Sequence, residues 1–312
     1  MTNKILIFSR IADRFYKPIR EKLPDAEIYA ASGSKNLGIK PDEVTILVSW
    51  IIKPALIKQM TSLKWIHSLG AGVDGFFKEP EILQGKILTR SVANLPELIA
   101  QYVTAAVLSD NTGLYTHRRN QSLKKWDWQP FLDINYKKAV IVGTGKIGTE
   151  ICKALKFFGM EVFGLNRSGT GSDIFDGVFG FSAWQDIFPR GDYVILALPL
   201  TDETRDLIDY EKLKSMKSDA MLVNIARGAI VHEEDLVKAL DKSLFRHAFL
   251  DVFHKEPLPK YSPLWDHPKI TITPHIAGVS DPNLVAEEFV ENYLRYMRGE
   301  TLNNVVDVKR GY

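Results

Sequence analysis

Three stretches in the second half of the chain carry side chains able to work on a carbonyl oxygen. Residues 223–231 read VNIARGAIV and bring Arg227 to the end of an apolar run. Residues 249–259, FLDVFHKEPLP, carry Glu256, and residues 272–278, ITPHIAG, carry His275. A guanidinium at the end of a buried strand costs on the order of several kcal/mol unless an anion meets it. Singly, each residue has an ordinary structural reading: an ion-pair partner, a solvated loop acid, a hydrogen-bonded histidine packed behind Pro274. Together they form the set that hydride transfer to a 2-keto acid requires. The guanidinium grips carboxylate and carbonyl oxygens and stabilises charge developing on the carbonyl. The imidazolium gives a proton as the carbonyl becomes an alcohol. A carboxylate beside it favours that charged form.

Such chemistry needs a hydride donor, and residues 137–155, KKAVIVGTGKIGTEICKAL, offer a place for one. Gly143, Gly145 and Gly148 stand in a G-x-G-x-x-G pattern with a strand pattern before and a helical pattern after. The first glycine suits a tight turn, the second a close backbone approach to a pyrophosphate, and the third close helix–strand packing. Free N–H groups at the helix start would bind the diphosphate. A glycine-rich turn without a ligand is the plainer reading. The next strand ends in Asn166-Arg167-Ser168, with no carboxylate until Asp173. An acid there would hold a ribose 2′-hydroxyl, whereas an arginine and a hydroxyl suit a 2′-phosphate. The expected cofactor is therefore NADP(H), with NAD(H) possible.

These residues need a scaffold, and the rest of the sequence describes one. Strand-like runs KILIFS, EIYAA, TILVSW, KWIHSLG and KILTRS lie within residues 4–91, with helix-like segments between several of them. A long helical pattern covers 96–115, and a polar, Trp-rich loop covers 120–131. Then come KKAVIVG, EVFGLN, YVILALP, AMLVNIA, RHAFLDVF and KITITPH, and a last helical pattern over 284–300. Runs apolar throughout suit parallel sheets covered on both faces, with helices as crossovers. The expected fold is α/β with two lobes: residues 1–95, completed by 284–312, and residues 96–283. The length of 312 residues fits two domains.

The bulk numbers exclude several classes. Lys plus Arg number 40 against 38 Asp plus Glu, so no strong field points to nucleic acid or an anionic membrane. No apolar run approaches the roughly 18–20 residues of a membrane span, and the N-terminus lacks a signal peptide's apolar region. Cys152 is the one cysteine, which excludes an internal disulfide and suits a cytoplasmic location. The histidine spacings offer no metal-ligand set. His67, His117, His232, His247, His254 and His267 match no motif and read as structural or surface residues.

In combination, VGTGKIG, VNIARG, DVFHKEPLP and TPHIAG make the chain resemble the D-isomer-specific 2-hydroxyacid dehydrogenase family along nearly its whole length. Within it, SLGAGVD (68–74), NRS (166–168), SPLWDHPKITITPH (262–275) and the tail VDVKRGY (306–312) are most similar to NADPH-linked glyoxylate/hydroxypyruvate reductases of the A type. The resemblance implies a flavodoxin-like substrate lobe beside a Rossmann cofactor lobe. It implies Arg227 as substrate-binding and catalytic arginine, His275 as acid/base and Glu256 as its partner. Gly70, Ala71 and Gly72 would present backbone N–H groups to the substrate carboxylate, and Trp50 would line the cleft, although a core aromatic is the commoner role. Cofactor contacts are implied for Lys146, Ile147, Leu198, Pro199, Thr204, Ile225, Ala226, Asp251 and Gly278 besides the glycine turn and Asn166, Arg167 and Ser168. Gln101 replaces a glutamate common in the family and reads as structural. The family's habit implies a homodimer, with the Trp126/Trp128 loop reaching the partner. Two other readings stay open: an NAD-dependent D-lactate or branched 2-hydroxyacid dehydrogenase, and a cofactor-sensing binding protein of the same fold.

Overall fold

In the computed structural model, residues 3–50 and 53–311 are described, so the final tyrosine of the VDVKRGY tail lies outside the described residues. The chain divides into two compact units, residues 1–95 with 280–312, and residues 96–279. In the first unit the apolar runs form β1 (Lys4–Phe8), β2 (Glu27–Ala31), β3 (Ile46–Ser49), β4 (Trp65–Ser68) and β5 (Ile87–Arg90). They pair in parallel in the order β2-β1-β3-β4-β5, the flavodoxin-like order. Side-chain alternation along β1 explains why its run is apolar throughout. Ile5 and Ile7 pack with Phe15 and Ile19 of helix Ala12–Lys22 and Phe289 of helix Pro282–Arg298. Leu6 faces a separate cluster with Ile57, Met60, Phe76 and Ile82. Both faces are dry.

The second unit holds β6 (Lys138–Val142), β7 (Glu161–Asn166), β8 (Gly177–Gly180), β9 (Tyr193–Leu196), β10 (Met221–Asn224), β11 (His247–Leu250) and β12 (Ile270–Ile272). Their order is β12-β11-β10-β9-β6-β7-β8, parallel throughout. Strand order reverses between β6 and β9, the switch point where open α/β sheets take ligands at the carboxyl ends of their strands. Sequence reading does not anticipate β8. Its four residues, GVFG, are half-buried and begin and end in glycine, so no apolar run marks them.

The long helical pattern over 96–115 is not one helix. It is Leu95–Asn111 followed by Leu114–Ser122, broken where Gly113 takes φ 69°, a left-handed conformation that favours glycine and stops the helical ladder. The second helix runs on through Ser122, so the loop expected from residue 120 starts later. The C-terminal helical pattern over 284–300 is the helix Pro282–Arg298, stopped by left-handed Gly299. Asp110 ties the end of the helix Leu95–Asn111 down: its carboxylate accepts from both Arg246 Nη atoms at 2.6 and 2.7 Å and from Tyr193 Oη at 3.0 Å. No helix among the described residues is long and apolar enough to cross a membrane.

Candidate active site

The carboxyl ends of β6, β7, β9, β10, β11 and β12 and the segments that follow them hold the second-unit catalytic and cofactor candidates, all on one edge of one sheet. After β6, Gly143 turns the chain at φ 107°, and a Cβ there would meet the Ala197 carbonyl oxygen at 2.4 Å. A Cβ on Gly148 would meet the Gly143 oxygen at 2.0 Å, so the helix Lys146–Phe157 can lie this close only with glycine. Gly145 is different. Open space surrounds its Cβ position, and Gly145 and Lys146 are exposed, with Ile147 half-buried. The turn is closed towards the protein and open towards solvent at the helix start, which is the shape a diphosphate needs.

After β7, Asn166 knits the loop. Its Nδ2 donates to Thr144 Oγ1 at 2.6 Å and to the Thr170 carbonyl at 2.7 Å, and its Oδ1 accepts from Gly169 N at 2.8 Å. Ser168 Oγ also donates to Asn166 Oδ1, at 3.2 Å. Arg167 is exposed and forms an ion pair with Glu203, which comes from the segment after β9. In that same segment Leu198 is buried. Thr204 is a staple: its hydroxyl donates to the Pro199 carbonyl at 2.7 Å and accepts from Thr201 N at 2.8 Å.

After β10, Ile225 and Ala226 are buried and Arg227 is half-buried in extended backbone, φ −144° and ψ 143°. Asn224 sets this turn, accepting from Ala226 N at 3.1 Å and donating to the Arg227 carbonyl at 3.0 Å. Arg227 Nη1 donates to the Ala226 carbonyl at 2.7 Å. The next residue, Gly228, was not singled out from sequence. A Cβ there would fall 1.9 Å from the Phe253 carbonyl carbon and 2.3 Å from His254 N, so the arginine turn lies directly on the segment that leads to Glu256.

His275 Nδ1 and Glu256 Oε2 are 2.6 Å apart. The other carboxylate oxygen, Oε1, accepts from Phe253 N at 2.9 Å. With Nδ1 as donor to the acid, Nε2 is the ring nitrogen left for transfer chemistry. Burial alone would raise the Glu256 carboxyl. The hydrogen bond from His275, the Phe253 amide, and the charges of His275 and Arg227 outweigh it and hold the group below the usual glutamate range.

His275 itself sits at φ 55°, a left-handed conformation uncommon for a residue with a Cβ. Asp251 holds it there. The His275 amide donates to the Asp251 carbonyl at 2.8 Å, and the Asp251 carboxylate accepts from Thr273 Oγ1 at 2.6 Å, Ile276 N at 3.0 Å and Ala277 N at 2.9 Å. Asp251 is fully buried, and these bonds make it the anchor of the histidine loop. Gly278 follows directly, half-buried.

Within the first unit, Trp50 lies against Gly70, where a Cβ would meet Trp50 Nε1 at 2.7 Å. Its indole meets Phe15 edge-on at 5.5 Å and is partly exposed. Ser68 Oγ donates to the Gly70 carbonyl at 2.9 Å, and Arg90 Nη1 donates to the Ala71 carbonyl at 3.3 Å. The amides from Gly70 to Gly72 thus belong to a braced turn, with Gly72 exposed.

Comparison with known proteins gives this geometry a relation. Residues 104–277 match the family described as D-isomer specific 2-hydroxyacid dehydrogenase, NAD binding domain. Glyoxylate/hydroxypyruvate reductase A of Citrobacter koseri is 31% identical over 268 residues, covering 83% of this chain and 85% of its own. Its namesake in Photorhabdus laumondii is 29% identical over 269 residues, 84% and 86% of the two chains. A D-isomer specific 2-hydroxyacid dehydrogenase from Xanthobacter autotrophicus, solved with NADPH and MES, superposes over 100% of both chains with a TM-score of 0.94 at 28% identity. The chain belongs to the D-isomer specific 2-hydroxyacid dehydrogenase family.

Proposed function

We propose that the protein reduces a small 2-keto acid of the glyoxylate/hydroxypyruvate class to the D-2-hydroxy acid, with NADPH as preferred reductant and NADH as a possible one. The observation that carries this is the 2.6 Å His275–Glu256 pair on the same sheet edge as Arg227 and the open glycine turn. The two curated relatives named for this activity support the substrate class.

The residues present fit a dinucleotide. Gly145 leaves space where a side chain would block a diphosphate, and Lys146 and Ile147 begin the helix whose N–H groups would bind it. Arg167 and Ser168 would take the 2′-phosphate, with Asn166 fixing their loop. Leu198, Pro199, Ile225, Ala226 and Gly278 would complete the cofactor wall, with the buried Asp251 behind it, and Thr204 would keep its segment in place. When bound, the nicotinamide supplies the hydride.

The chain's own residues do the rest. Arg227 would clamp substrate carboxylate and carbonyl oxygens; within the first unit, Gly70, Ala71 and Gly72 would offer backbone amides to a carboxylate, with Trp50 beside them. His275 would donate its Nε2 proton to the carbonyl oxygen as it becomes a hydroxyl, and Glu256 would fix the ring through Nδ1. Asp251 would hold the backbone that aims the ring. A homodimer located in the cytoplasm belongs to the same reading. Trp126 and Trp128, 95% and 79% exposed, are unusual as free surface and suit a partner's face. Steady-state rates for glyoxylate, hydroxypyruvate, pyruvate and 2-ketoisocaproate, each with NADPH and NADH, test the assignment. Highest kcat/KM for one of the first two with NADPH is expected. A preference for the branched acid with NADH would replace this reading with the branched-acid alternative.

A further inference from the structure

The sequence around β7 lacks the acid with which NAD sites hold a ribose 2′-hydroxyl, but the fold brings one in from elsewhere. Glu203, 36 positions further on and carried by the segment after β9, pairs with Arg167. Both side chains are exposed, and neither is a packing element. Around them the loop is fixed: Asn166 spans Thr144, Gly169 and Thr170, and Thr204, the neighbour of Glu203, is buried and bonded to Pro199 and Thr201. Two rigid anchors therefore present one cation and one anion to each other at the proposed 2′ position of the cofactor.

We propose that Glu203 is a specificity-determining residue that sets the balance between NADPH and NADH by occupying Arg167. The inference rests on Arg167 being the phosphate-binding residue. A 2′-phosphate must take the guanidinium from Glu203 and settle near its negative charge, so the acid counts against NADPH. NADH brings no charge there, and a carboxylate can accept from its 2′-hydroxyl in the way of ordinary NAD sites. The acid thus acts in opposite senses on the two cofactors and narrows the selectivity that Arg167 alone would impose. An exposed pair of this kind is worth up to about 1 kcal/mol, which corresponds to a shift of roughly two- to fivefold.

The test is equilibrium binding of NADPH and NADH, without substrate, to the full-length wild type, Glu203→Gln, Arg167→Gln and the double variant, followed by nucleotide fluorescence. Glu203→Gln is isosteric and on the surface, and a thermal melt beside each titration checks that the variants are folded. The ratio Kd(NADH)/Kd(NADPH) is expected to rise about two- to fivefold in Glu203→Gln, and to rise by less when Arg167 is already Gln, where only the direct effect of the carboxylate on the 2′ position is left. An unchanged or lower ratio in Glu203→Gln, while Arg167→Gln weakens NADPH selectively, overturns the role of Glu203 and leaves the phosphate assignment standing. Equal weakening of both cofactors by Arg167→Gln overturns the phosphate assignment, and this inference falls with it.

Discussion

Arg227, Glu256 and His275 are each ordinary residues made particular by one neighbour. His275 and Glu256 share a short hydrogen bond, and the turn of Arg227 lies on the segment that leads to the glutamate. If Arg227 stabilises charge developing on the carbonyl, Arg227→Ala should lower kcat/KM for the keto acid by about a hundredfold to a thousandfold. NADPH affinity should hardly change; a fluorescence titration beside the kinetics checks both. His275→Ala should cut kcat by about a hundredfold or more through lost proton delivery, again with the cofactor Kd nearly intact. A large loss of NADPH affinity in either variant would move that residue from substrate chemistry to cofactor binding. The three residue types and their order were legible in the sequence, because each sits at the end of an apolar run. The work of Asp251 was not legible. A carboxylate that holds a left-handed histidine through Thr273, Ile276 and Ala277 is a tertiary arrangement, and an aspartate after a strand does not announce it.

Among the elements, close packing does what the motifs alone do not reveal. Gly228 reads in sequence only as the glycine after the arginine, yet Phe253 and His254 leave it no room for a methyl group. Gly228→Ala should destabilise the second unit by about 1–3 kcal/mol or more, the range for overpacking, and should reduce kcat because Arg227 and the Glu256 segment must separate. Thermal unfolding and kinetics on the same variant check this; an unchanged melt with full activity would mean that the contact relaxes freely. For His67 the structure chooses between the two readings. The residue reads as structural or surface, and β4 in fact puts it at 0% exposure among Trp65, Phe289 and Thr89, with Nδ1 2.8 Å from Thr89 Oγ1. Burial pushes its pKa down from 6.5 to about 3. An unfolded chain therefore binds a proton that the folded one refuses. Stability is fully present above about pH 6.5 and falls as pH drops towards 3, at a slope of up to about 1.4 kcal/mol per pH unit from this group. Melting curves from pH 7 to 5 should show that slope in the wild type and a weaker one in His67→Gln. The strands themselves were legible from their apolar runs, except glycine-bounded β8. The break in the long helix was not, because Gly113 stands in an otherwise helical pattern.

At the scale of the whole molecule, the two parallel sheets follow from apolar strands that need cover on both faces, and family membership places the chain among D-isomer specific 2-hydroxyacid dehydrogenases. Assembly depends on surface that no motif describes. If Trp126 and Trp128 lie on a partner, replacing both with alanine should turn a dimer into a monomer in light scattering behind size exclusion, whereas a monomeric wild type would contradict the dimer. Substrate choice was the least legible property, because it depends on the width of a pocket rather than on any residue type. The chemistry can be tested without knowing that choice. The decisive measurement is reduction of hydroxypyruvate by NADPH, with consumption of the nicotinamide and the configuration of the glycerate product followed together. One D-glycerate is expected for each NADPH consumed. No consumption, or formation of the L-isomer, would contradict D-specific reduction by this chain.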